Sequence, residues 1–354
     1  MVERIPVAVM GATGLVGQRF IQLLHRHPWF ELVSITASER RIGQKYGETV
    51  RWMWSEEPPE EVQEMKLSPT NYEGVRDAEI VFSALPSSVA RELEPELAKR
   101  GKIIVSNASP FRMDDDVPLI NPEINPDHLK LIPIQREKRN WKGFIAKNPN
   151  CTTAILTLSL KPLLDNFGIS NVRVATMQAV SGAGYEGVVS MDIIDNIIPF
   201  IKEEEEKVHR ETKKILGTLT SDRVEPLNIG VSASCHRVPV LEGHLEAVFV
   251  ELKEKPEDVN GVVKALSNFK GKPQELKLPT APEKPIVVRS EPDRPQPRFD
   301  RMTGGGMSVV VGRIRWSEID QNEIKYMVLG SNTIRGAAGT AVLIAELLRA
   351  ENMI

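Results

Sequence analysis

The stretch Ile5-Pro6-Val7-Ala8-Val9-Met10-Gly11-Ala12-Thr13-Gly14-Leu15-Val16-Gly17 decides the fold. Its first six residues are mostly apolar, which predicts a short buried strand. Three glycines then recur at intervals of three, and an amphipathic helical pattern continues to about His25. A strand, a glycine turn and a helix in this order predict a parallel α/β sheet with a dinucleotide site at the turn.

Each glycine of the turn has a physical role in such a site. Gly11 permits the tight turn, Gly14 lets the backbone approach a pyrophosphate, and Gly17 allows close packing of helix on strand. The unpaired N–H groups of the first helical turn would bind the phosphates. The spacing G-x-x-G-x-x-G departs from the usual G-x-G-x-x-G, so a plain strand-to-helix turn remains an alternative.

The end of the second strand indicates which dinucleotide binds. This strand runs from Glu31 to about Thr36 and is followed by Ser38, Arg40 and Arg41. A hydroxyl and guanidinium groups can donate hydrogen bonds to a 2′-phosphate, and arginine does so in a bidentate manner. The sequence therefore favours NADP over NAD.

Further strands alternate with helices and predict the rest of the architecture. Buried strands are expected at 79–85, 103–106 and 144–147, which makes a Rossmann-like, doubly wound parallel sheet the natural fold. Loops at the carboxyl ends of such strands face the ligand crevice, so Ser83 is a candidate cofactor contact.

Three segments are expected along the chain. Residues 1–150 form the dinucleotide-binding domain, and residues 151–331 form a second α+β domain with a mixed sheet, for substrate and dimerisation. Residues 332–354 form a C-terminal helix. It is so apolar that it must be buried against other apolar residues, and we expect it to pack back on the first domain. That arrangement would bring Asn332 near the cofactor.

The composition of the 354 residues excludes several classes of protein. A formal net charge of -3, with no dense basic stripe, argues against nucleic-acid binding. No apolar run approaches the length of a membrane span. The two cysteines, Cys151 and Cys235, cannot build a disulfide framework, so a cytoplasmic location is expected.

The candidate nucleophile lies in Asn148-Pro149-Asn150-Cys151-Thr152-Thr153. Cys151 would sit near the N-terminus of an amphipathic helix, where N–H groups and the helix dipole favour a thiolate. A thiolate is the strongest side-chain nucleophile at neutral pH. On these residues alone, a cysteine that only packs in the core is an equal alternative.

Several polar residues could serve such a nucleophile. His244 is a candidate base, Arg237 a candidate clamp for a carboxylate, and Arg112 a candidate anion site after a sheet strand. Gln178, on a strand before the loop Ser181-Gly182-Ala183-Gly184, could orient a carbonyl, unless it is a surface residue. A metal site made of Cys235, His236 and His244 is an alternative that lacks a fourth ligand.

Seven motifs in order resemble those of the aspartate-β-semialdehyde dehydrogenases, in the form typical of archaea and fungi. They are G-A-T-G-L-V-G, S-P-F-R-M, N-P-N-C-T-T, Q-A-V-S-G-A-G, E-T-K-K, H-R-V-P-V-x-x-G-H and N-T-I-R-G-A-A-G, and they cover nearly the whole chain. The resemblance implies reversible, NADPH-dependent reduction of aspartyl 4-phosphate to aspartate 4-semialdehyde and phosphate, in the biosynthesis of lysine, threonine, methionine and isoleucine. It also implies a homodimer or homotetramer.

The resemblance further implies residue roles. Cys151 would form an acyl-thioester, His244 would act as general acid and base, and Gln178 would position the substrate. Arg237 and Glu211 would hold its carboxylate and ammonium. The phosphate set would be Arg112, Asn150 and Lys214. The cofactor would contact Thr13, Gly14, Leu15, Val16, Ser38, Ser83, Ser181, Gly182 and Asn332.

Three rival functions remain at this stage. Malonyl-CoA reductase also needs a cysteine and NADPH, but Asn150 beside the cysteine, with Arg112, fits a phosphate site instead of coenzyme A. N-acetyl-glutamyl-phosphate reductase is expected to carry a glycine where this chain has Asn150. A non-catalytic NADP-binding regulator would leave Cys151 and His244 without a joint purpose.

Overall fold

The computed structural model describes residues 4–55 and 57–354. In the described N-terminal part, six parallel strands form one sheet in the order β3-β2-β1-β4-β5-β6. The strands are β1 Ile5–Met10, β2 Phe30–Ala37, β3 Ser68–Pro69, β4 Ile80–Ser83, β5 Ile103–Ser106 and β6 Phe144–Lys147. The helices are α1 Leu15–Leu24, α2 Tyr46–Thr49, α3 Glu60–Gln63, α4 Ser87–Lys99 and α5 Leu131–Arg139. The predicted doubly wound sheet is confirmed.

Strand β1 lies at the centre of this sheet, as its sequence requires. The side chains of Val7, Ala8, Val9 and Met10 are fully buried, because a parallel sheet is covered on both faces. The carboxyl ends of the strands β1, β4, β5 and β6 lie at one edge. The turns that leave this edge carry the glycines of α1 and the segment before Cys151.

The second part of the chain contains a mixed sheet in the order β10-β7-β11-β14-β13-β12 and a short ribbon of β8 with β9. Its strands are β7 Ile169–Gln178, β8 Thr218–Leu219, β9 Val224–Glu225, β10 Gly230–Arg237, β11 His244–Leu252, β12 Ile286–Arg289, β13 Val309–Trp316 and β14 Glu323–Gly330. The helices are α6 Cys151–Phe167, α7 Ser190–Ile193, α8 Glu204–Ile215, α9 Val259–Asn268, α10 Lys272–Glu275, α11 Pro297–Asp300 and α12 Gly339–Ala350. Within the described ranges, every helix is too short or too polar to cross a bilayer.

One face of the mixed sheet packs on α6 and brings three polar side chains together. Along β11, buried residues alternate with half-buried ones, and His244 belongs to the buried set. Arg237 is paired with Gln178 across the parallel strands β10 and β7, and β11 lies on the other side of β7. The ends of three strands therefore place Arg237, Gln178 and His244 side by side.

The C-terminal helix α12 packs against α1, β4 and β5 of the first sheet, and most of its residues are buried in that core. The predicted return of the C-terminal helix to the first domain is confirmed. It is preceded by one π-helical turn, Ile334–Ala338, in which Gly336 N–H donates to the carbonyl of Ser331 at 2.8 Å. Such turns often occur at functional sites.

Candidate active site

Cys151 is the first residue of α6. The side chain of Asn150 caps the helix by accepting the N–H of Thr153 at 3.1 Å. The cysteine borders a cavity of ≈ 540 Å³ that is lined by residues from both parts of the chain. Its thiol is therefore placed where the first-turn N–H groups and the helix dipole favour a negative charge.

The thiol and the imidazole of His244 are in contact, although 93 positions separate them in the sequence. The distance from Cys151 Sγ to His244 Nε2 is 3.3 Å. His244 Nδ1 accepts the N–H of Ala179 at 3.1 Å, so a neutral ring carries its proton on Nε2 and donates it to the sulfur. The hydrogen bonding thus assigns one tautomer, in which His244 is a donor.

Burial controls the protonation of this pair. It raises the pKa of the Cys151 thiol to about 12, with Glu204 adding to the effect, while Arg237 and Arg112 oppose it. Burial and the charge of Arg237 lower the pKa of His244 to about 3. At neutral pH the resting site holds a thiol and a neutral imidazole. The two arginines and the Nε2–H donor then favour the thiolate when it forms.

Glu204 is a site residue that the sequence did not reveal. Its Oε1 accepts hydrogen bonds from Asn150 Nδ2 at 3.0 Å, Thr152 Oγ1 at 3.1 Å and Gln178 Nε2 at 2.8 Å. Its Oε2 accepts no hydrogen bond among the described residues. The carboxylate lies within the cavity lining, as does Lys207 one turn later. It therefore holds the nucleophile loop and Gln178 together and keeps one oxygen for a ligand.

Helix α8 is rich in Glu and Lys, and three of its charged residues, Glu204, Glu211 and Lys214, are buried. Glu211 is 2% exposed, accepts Arg112 NH1 at 2.9 Å and accepts the N–H of Asn150 at 2.7 Å. Lys214 Nζ donates to the carbonyls of Arg112, Asp114 and Val117, and burial lowers its pKa to about 8.

The substrate roles implied for Glu211 and Lys214 stay predictions, and both side chains already have protein partners. All three Nζ protons of Lys214 are engaged by backbone carbonyls, and both oxygens of Glu211 are engaged by protein donors. Neither residue lies in the lining of the main cavity. They support the loops that carry Arg112 and Asn150, and Glu211 also lines a smaller recess beside Arg112.

The other expected substrate residues line the cavity. Gln178 is 1% exposed, so the alternative of a surface strand residue is excluded, and its Oε1 accepts Thr176 Oγ1 at 2.9 Å. Arg237 NH1 donates to the carbonyl of Ala179 at 2.7 Å. Arg112, Asn150, Gln178 and Arg237 line the same cavity as Cys151, and the charges of both arginines favour its thiolate.

The π-helical turn fits closely against the nucleophile. A Cβ placed on Gly336 would lie 2.6 Å from the Cβ of Cys151, which is closer than real Cβ contacts allow. Arg335, within the same turn, forms a fully buried ion pair with Glu123, at 2.7 Å. Position 336 therefore has to be a glycine for Cys151 to occupy its observed place.

The glycine turn of the first domain has the shape that a dinucleotide needs. Gly11 has φ +76°, and a Cβ on Gly17 would lie 2.2 Å from the carbonyl of Gly11. Gly14 is the N-cap of α1 and has no capping side chain, so the N–H groups near Thr13 and Leu15 are open to phosphate. These observations fit a pyrophosphate at the turn.

The cavity continues from this turn toward the thiol. Val16 lies in its lining, and so do Ser181, Gly182 and Asn332. Asn332 Nδ2 donates to Ser181 Oγ at 2.9 Å, and a Cβ on Gly182 would lie 2.6 Å from Arg237 NH1. The expected cofactor residues of both domains thus meet at one opening.

Ser83 and the group of Ser38, Arg40 and Arg41 were also expected to contact the cofactor, but they lie outside the lining of this cavity. Ser38, Arg40 and Arg41 are exposed at the end of β2, and neither guanidinium has a partner among the described residues. Ser83 is fully buried, and its Oγ donates to Glu94 at 2.8 Å. The first group is available to a ligand, whereas the hydroxyl of Ser83 is engaged inside the domain and does not line the cavity.

The alternative metal site is not assembled. Cys235 lies in the core and His236 points to the other face of β10, where its Nδ1 contacts the carbonyl of Thr176 at 3.1 Å. Strand alternation separates these two side chains, and His244 is engaged by Cys151. The described residues contain no group of His, Cys, Asp and Glu suited to a metal ion.

A doubly wound domain with a glycine turn, joined to a mixed-sheet domain across a cysteine–histidine pair, defines the class of two-domain dehydrogenases that act through a cysteine. The sequence matches the family model described as semialdehyde dehydrogenase, NAD binding domain, over residues 6–132. It matches the model described as semialdehyde dehydrogenase, dimerisation domain, over residues 160–335. The chain belongs to the semialdehyde dehydrogenase family.

Relatives support this membership along the whole chain. The sequence is 55% identical to aspartate-semialdehyde dehydrogenase of Archaeoglobus fulgidus over 99% of this chain and 100% of that protein. It is 42% identical to a malonyl CoA reductase (NADP) of Metallosphaera sedula, over 98% of both. The fold matches aspartate semialdehyde dehydrogenase with NADP from Candida albicans with TM-score 0.90 and 40% identity, over 99% of this chain and 100% of that one. The family resemblance of the seven motifs is confirmed.

Proposed function

We propose that this protein is an aspartate-semialdehyde dehydrogenase that converts aspartyl 4-phosphate to aspartate 4-semialdehyde and phosphate, reversibly, with NADPH. The observation that carries this proposal is the contact of Cys151 Sγ with His244 Nε2 at 3.3 Å, in a cavity with separate acidic and basic groups. The reaction needs one nucleophile, one donor at the reacting centre and distinct sites for carboxylate, ammonium and phosphate.

The covalent steps centre on the sulfur. Cys151 Sγ attacks the acyl carbon of aspartyl phosphate as its proton passes to the departing phosphate, the bond from carbon to the phosphate oxygen breaks, and phosphate leaves with the electron pair. The product is a thioester on Cys151. When bound, NADPH supplies a hydride for the thioester carbon. The carbon–sulfur bond then breaks, its electrons return to Sγ as a thiolate, and the aldehyde is released.

His244 acts on the sulfur through the proton that it holds at Nε2. A hydrogen bond to a charged acceptor is stronger than one to a neutral acceptor, so this donor favours the thiolate both before attack and after release of the aldehyde. The arrangement supports the donor half of the acid and base role. The thiol proton ends on the released phosphate, and the thiolate left after release of the aldehyde regains a proton from solvent, so the ring does not have to give up its own.

The two ends of the substrate are recognised by opposite charges. Arg237 faces the α-carboxylate, and Gln178 orients the substrate beside the thiol. The free Oε2 of Glu204 receives the α-ammonium, in place of the role first assigned to Glu211. Malonyl-CoA carries no ammonium, so a carboxylate at this position favours the amino-acid substrate over that rival.

The phosphate group is received by Arg112 and Lys207. Both line the main cavity and also a neighbouring recess. Among the described residues, Lys207 makes only a long contact with Glu203, at 3.5 Å, whereas Lys214 donates to three carbonyls. Asn150 serves the same site indirectly, because its side chain caps α6 and binds Glu204.

Replacing Lys207 with methionine is expected to raise the KM for phosphate by about 10-fold to 100-fold. This factor corresponds to the binding free energy lost with one charge-assisted hydrogen bond. The KM for aspartate semialdehyde should change little. The matched control is Lys214→Met, which should lower the melting temperature without a selective effect on phosphate. Initial rates at varied phosphate concentration measure both, and a selective phosphate effect only in Lys214→Met would reverse the assignment.

The 2′-phosphate of NADP is assigned to Ser38, Arg40 and Arg41. Replacing both arginines with alanine is expected to reduce the preference for NADP over NAD by about 10-fold to 100-fold, because charge-assisted donors to the phosphate are lost. The ratio of kcat/KM for the two cofactors measures this preference. An unchanged ratio would mean that the arginines are only solvated.

The activity is tested directly with purified protein. Aspartate semialdehyde should reduce NADP at a sustained rate only when phosphate or arsenate is present. Oxidation of NADPH driven by malonyl-CoA, without semialdehyde activity, would establish the rival function. Cofactor binding without turnover of either substrate would indicate a regulatory protein.

Self-association is proposed for the second domain, within the residues that match the dimerisation model. Its exposed apolar side chains include Val189, Met191, Ile194, Ile197 and Phe200, which cluster in one segment. A patch of this kind usually marks an interface between proteins. Light scattering during size-exclusion chromatography should give at least twice the monomer mass, and a monomer at micromolar concentration would refute this proposal.

A further inference from the structure

A buried charged cluster joins the cofactor helix to the strand that carries His244. Arg19, on α1, is 7% exposed, and Glu242, two residues before His244, is 4% exposed. Arg19 NH2 donates to both carboxylate oxygens of Glu242 at 3.0 Å. These residues are 223 positions apart in the sequence.

The cluster also includes the segment that leads to the π-helical turn. Arg19 Nε donates to Thr333 Oγ1 at 3.1 Å, and Glu242 Oε1 accepts the hydroxyls of Ser331, at 3.0 Å, and of Thr333. Asn332, which lies between these two residues, accepts the N–H of Gly243 at 2.8 Å through its Oδ1. One carboxylate therefore fixes both the start of β11 and the approach to Gly336.

The three elements that meet here carry the three parts of the reaction. Helix α1 begins at the dinucleotide turn, β11 begins with His244, and the π-helical turn packs on Cys151 through Gly336. Arg19 is additionally covered by Trp54, whose ring centre lies 3.4 Å from the guanidinium carbon. Since a buried ion pair adds little to stability compared with apolar packing, its position at this junction calls for another explanation.

We propose that Arg19 and Glu242 are positioning residues that set the distance between the bound nicotinamide cofactor and the carbon held on Cys151. The inference rests on the proposed function, because it concerns the hydride-transfer step of that reaction. A displacement of about 1 Å between reacting atoms can cost about 10²-fold in rate. The pair would thus act on hydride transfer and leave the reactivity of the thiol unchanged.

The test isolates that step by leaving phosphate out. Aspartate semialdehyde with saturating NADP should then give one burst of NADPH per site, since the thioester has no acceptor. Glu242→Gln keeps an acceptor for Ser331 and Thr333 but removes the charge that holds Arg19. We expect its burst to be slower by about 10²-fold, while alkylation of Cys151 by iodoacetamide proceeds within about twofold of the wild-type rate.

Arg19→Lys is the second variant. It keeps a buried cation beside Glu242, so it can still test the pair if Glu242→Gln does not fold. It should show the same selective loss, with a smaller magnitude. Glu351→Gln is the matched control, since Glu351 pairs with Lys272 at the surface, at 2.6 Å, and its burst should equal that of wild type.

Bursts at the wild-type rate in both variants would overturn the inference. A parallel fall of burst and alkylation rates would also overturn it, because the pair would then support the whole site. Wild-type protein that gives no burst at all would refute the proposed function itself, which is a separate result.

Discussion

Replacing Cys151 with alanine is expected to abolish the proposed reaction, with kcat lowered by at least about 10⁴-fold. The substitution removes only the sulfur, since alanine keeps the Cβ that lies against Gly336. The other possible nucleophiles in the described cavity lining are hydroxyls and amines, which cannot form a thioester. Mass spectrometry after incubation with aspartate semialdehyde and NADP, without phosphate, should show an acyl adduct on wild type and none on the variant.

The control for this prediction is the second cysteine. Cys235 is fully buried in the core of the mixed sheet, so Cys235→Ala should retain the adduct and most of the activity at some cost in stability. Cofactor affinity should be unchanged within about twofold in Cys151→Ala, because the expected dinucleotide contacts lie on other residues. An adduct on Cys151→Ala, or loss of cofactor binding, would show that the cysteine has a structural role.

The first domain was predictable from local sequence. The glycine turn after β1 permits few conformations, since Gly11 needs a positive φ and Gly17 must approach a carbonyl. Continuous apolar strands that alternate with helices then leave a parallel sheet as the simple solution. The loops at the carboxyl ends of those strands follow from the topology alone.

Helix α8 shows why part of the site was not predictable from the sequence. Glu204 to Lys207 and Glu211 to Lys214 have the same E-x-x-K spacing, and seven residues make nearly two helical turns, so both pairs lie on one face. Only the packing of α8 against α6 places Glu204 beside Cys151 and Glu211 under Asn150. Sequence spacing cannot choose between positions about 10 Å apart along the same stripe.

The contact of His244 with Cys151 was a reasonable hypothesis from residue types, but its hydrogen-bond direction depends on a backbone group of another segment. The N–H of Ala179 fixes the ring tautomer, and nothing in the motif around His244 encodes that N–H. The role of this ring therefore becomes testable only with the structure in hand.

Replacing His244 with alanine is expected to lower kcat by about 10²-fold to 10³-fold, the usual cost of one donor at a reacting centre. His244→Gln should recover most of that loss, to within about 10-fold of wild type, because an amide N–H can donate to the sulfur although it cannot titrate. Steady-state rates of the three proteins at saturating substrates measure the difference. Equal losses in the alanine and glutamine variants would favour a proton-accepting imidazole instead.

The pH dependence provides an independent check on the same assignment. The pKa of His244 is lowered to about 3 by burial and by Arg237, so the ring is neutral above that pH and gains a proton only below it. Ionisation of His244 should therefore give no inflection in kcat between about pH 5 and pH 8. The ¹⁵N spectrum of the ring should show Nδ1 without a proton and Nε2 with one throughout this range. A ring that becomes doubly protonated near neutral pH would mean that the donor assignment is wrong, and the thiol would then lose its proton to His244.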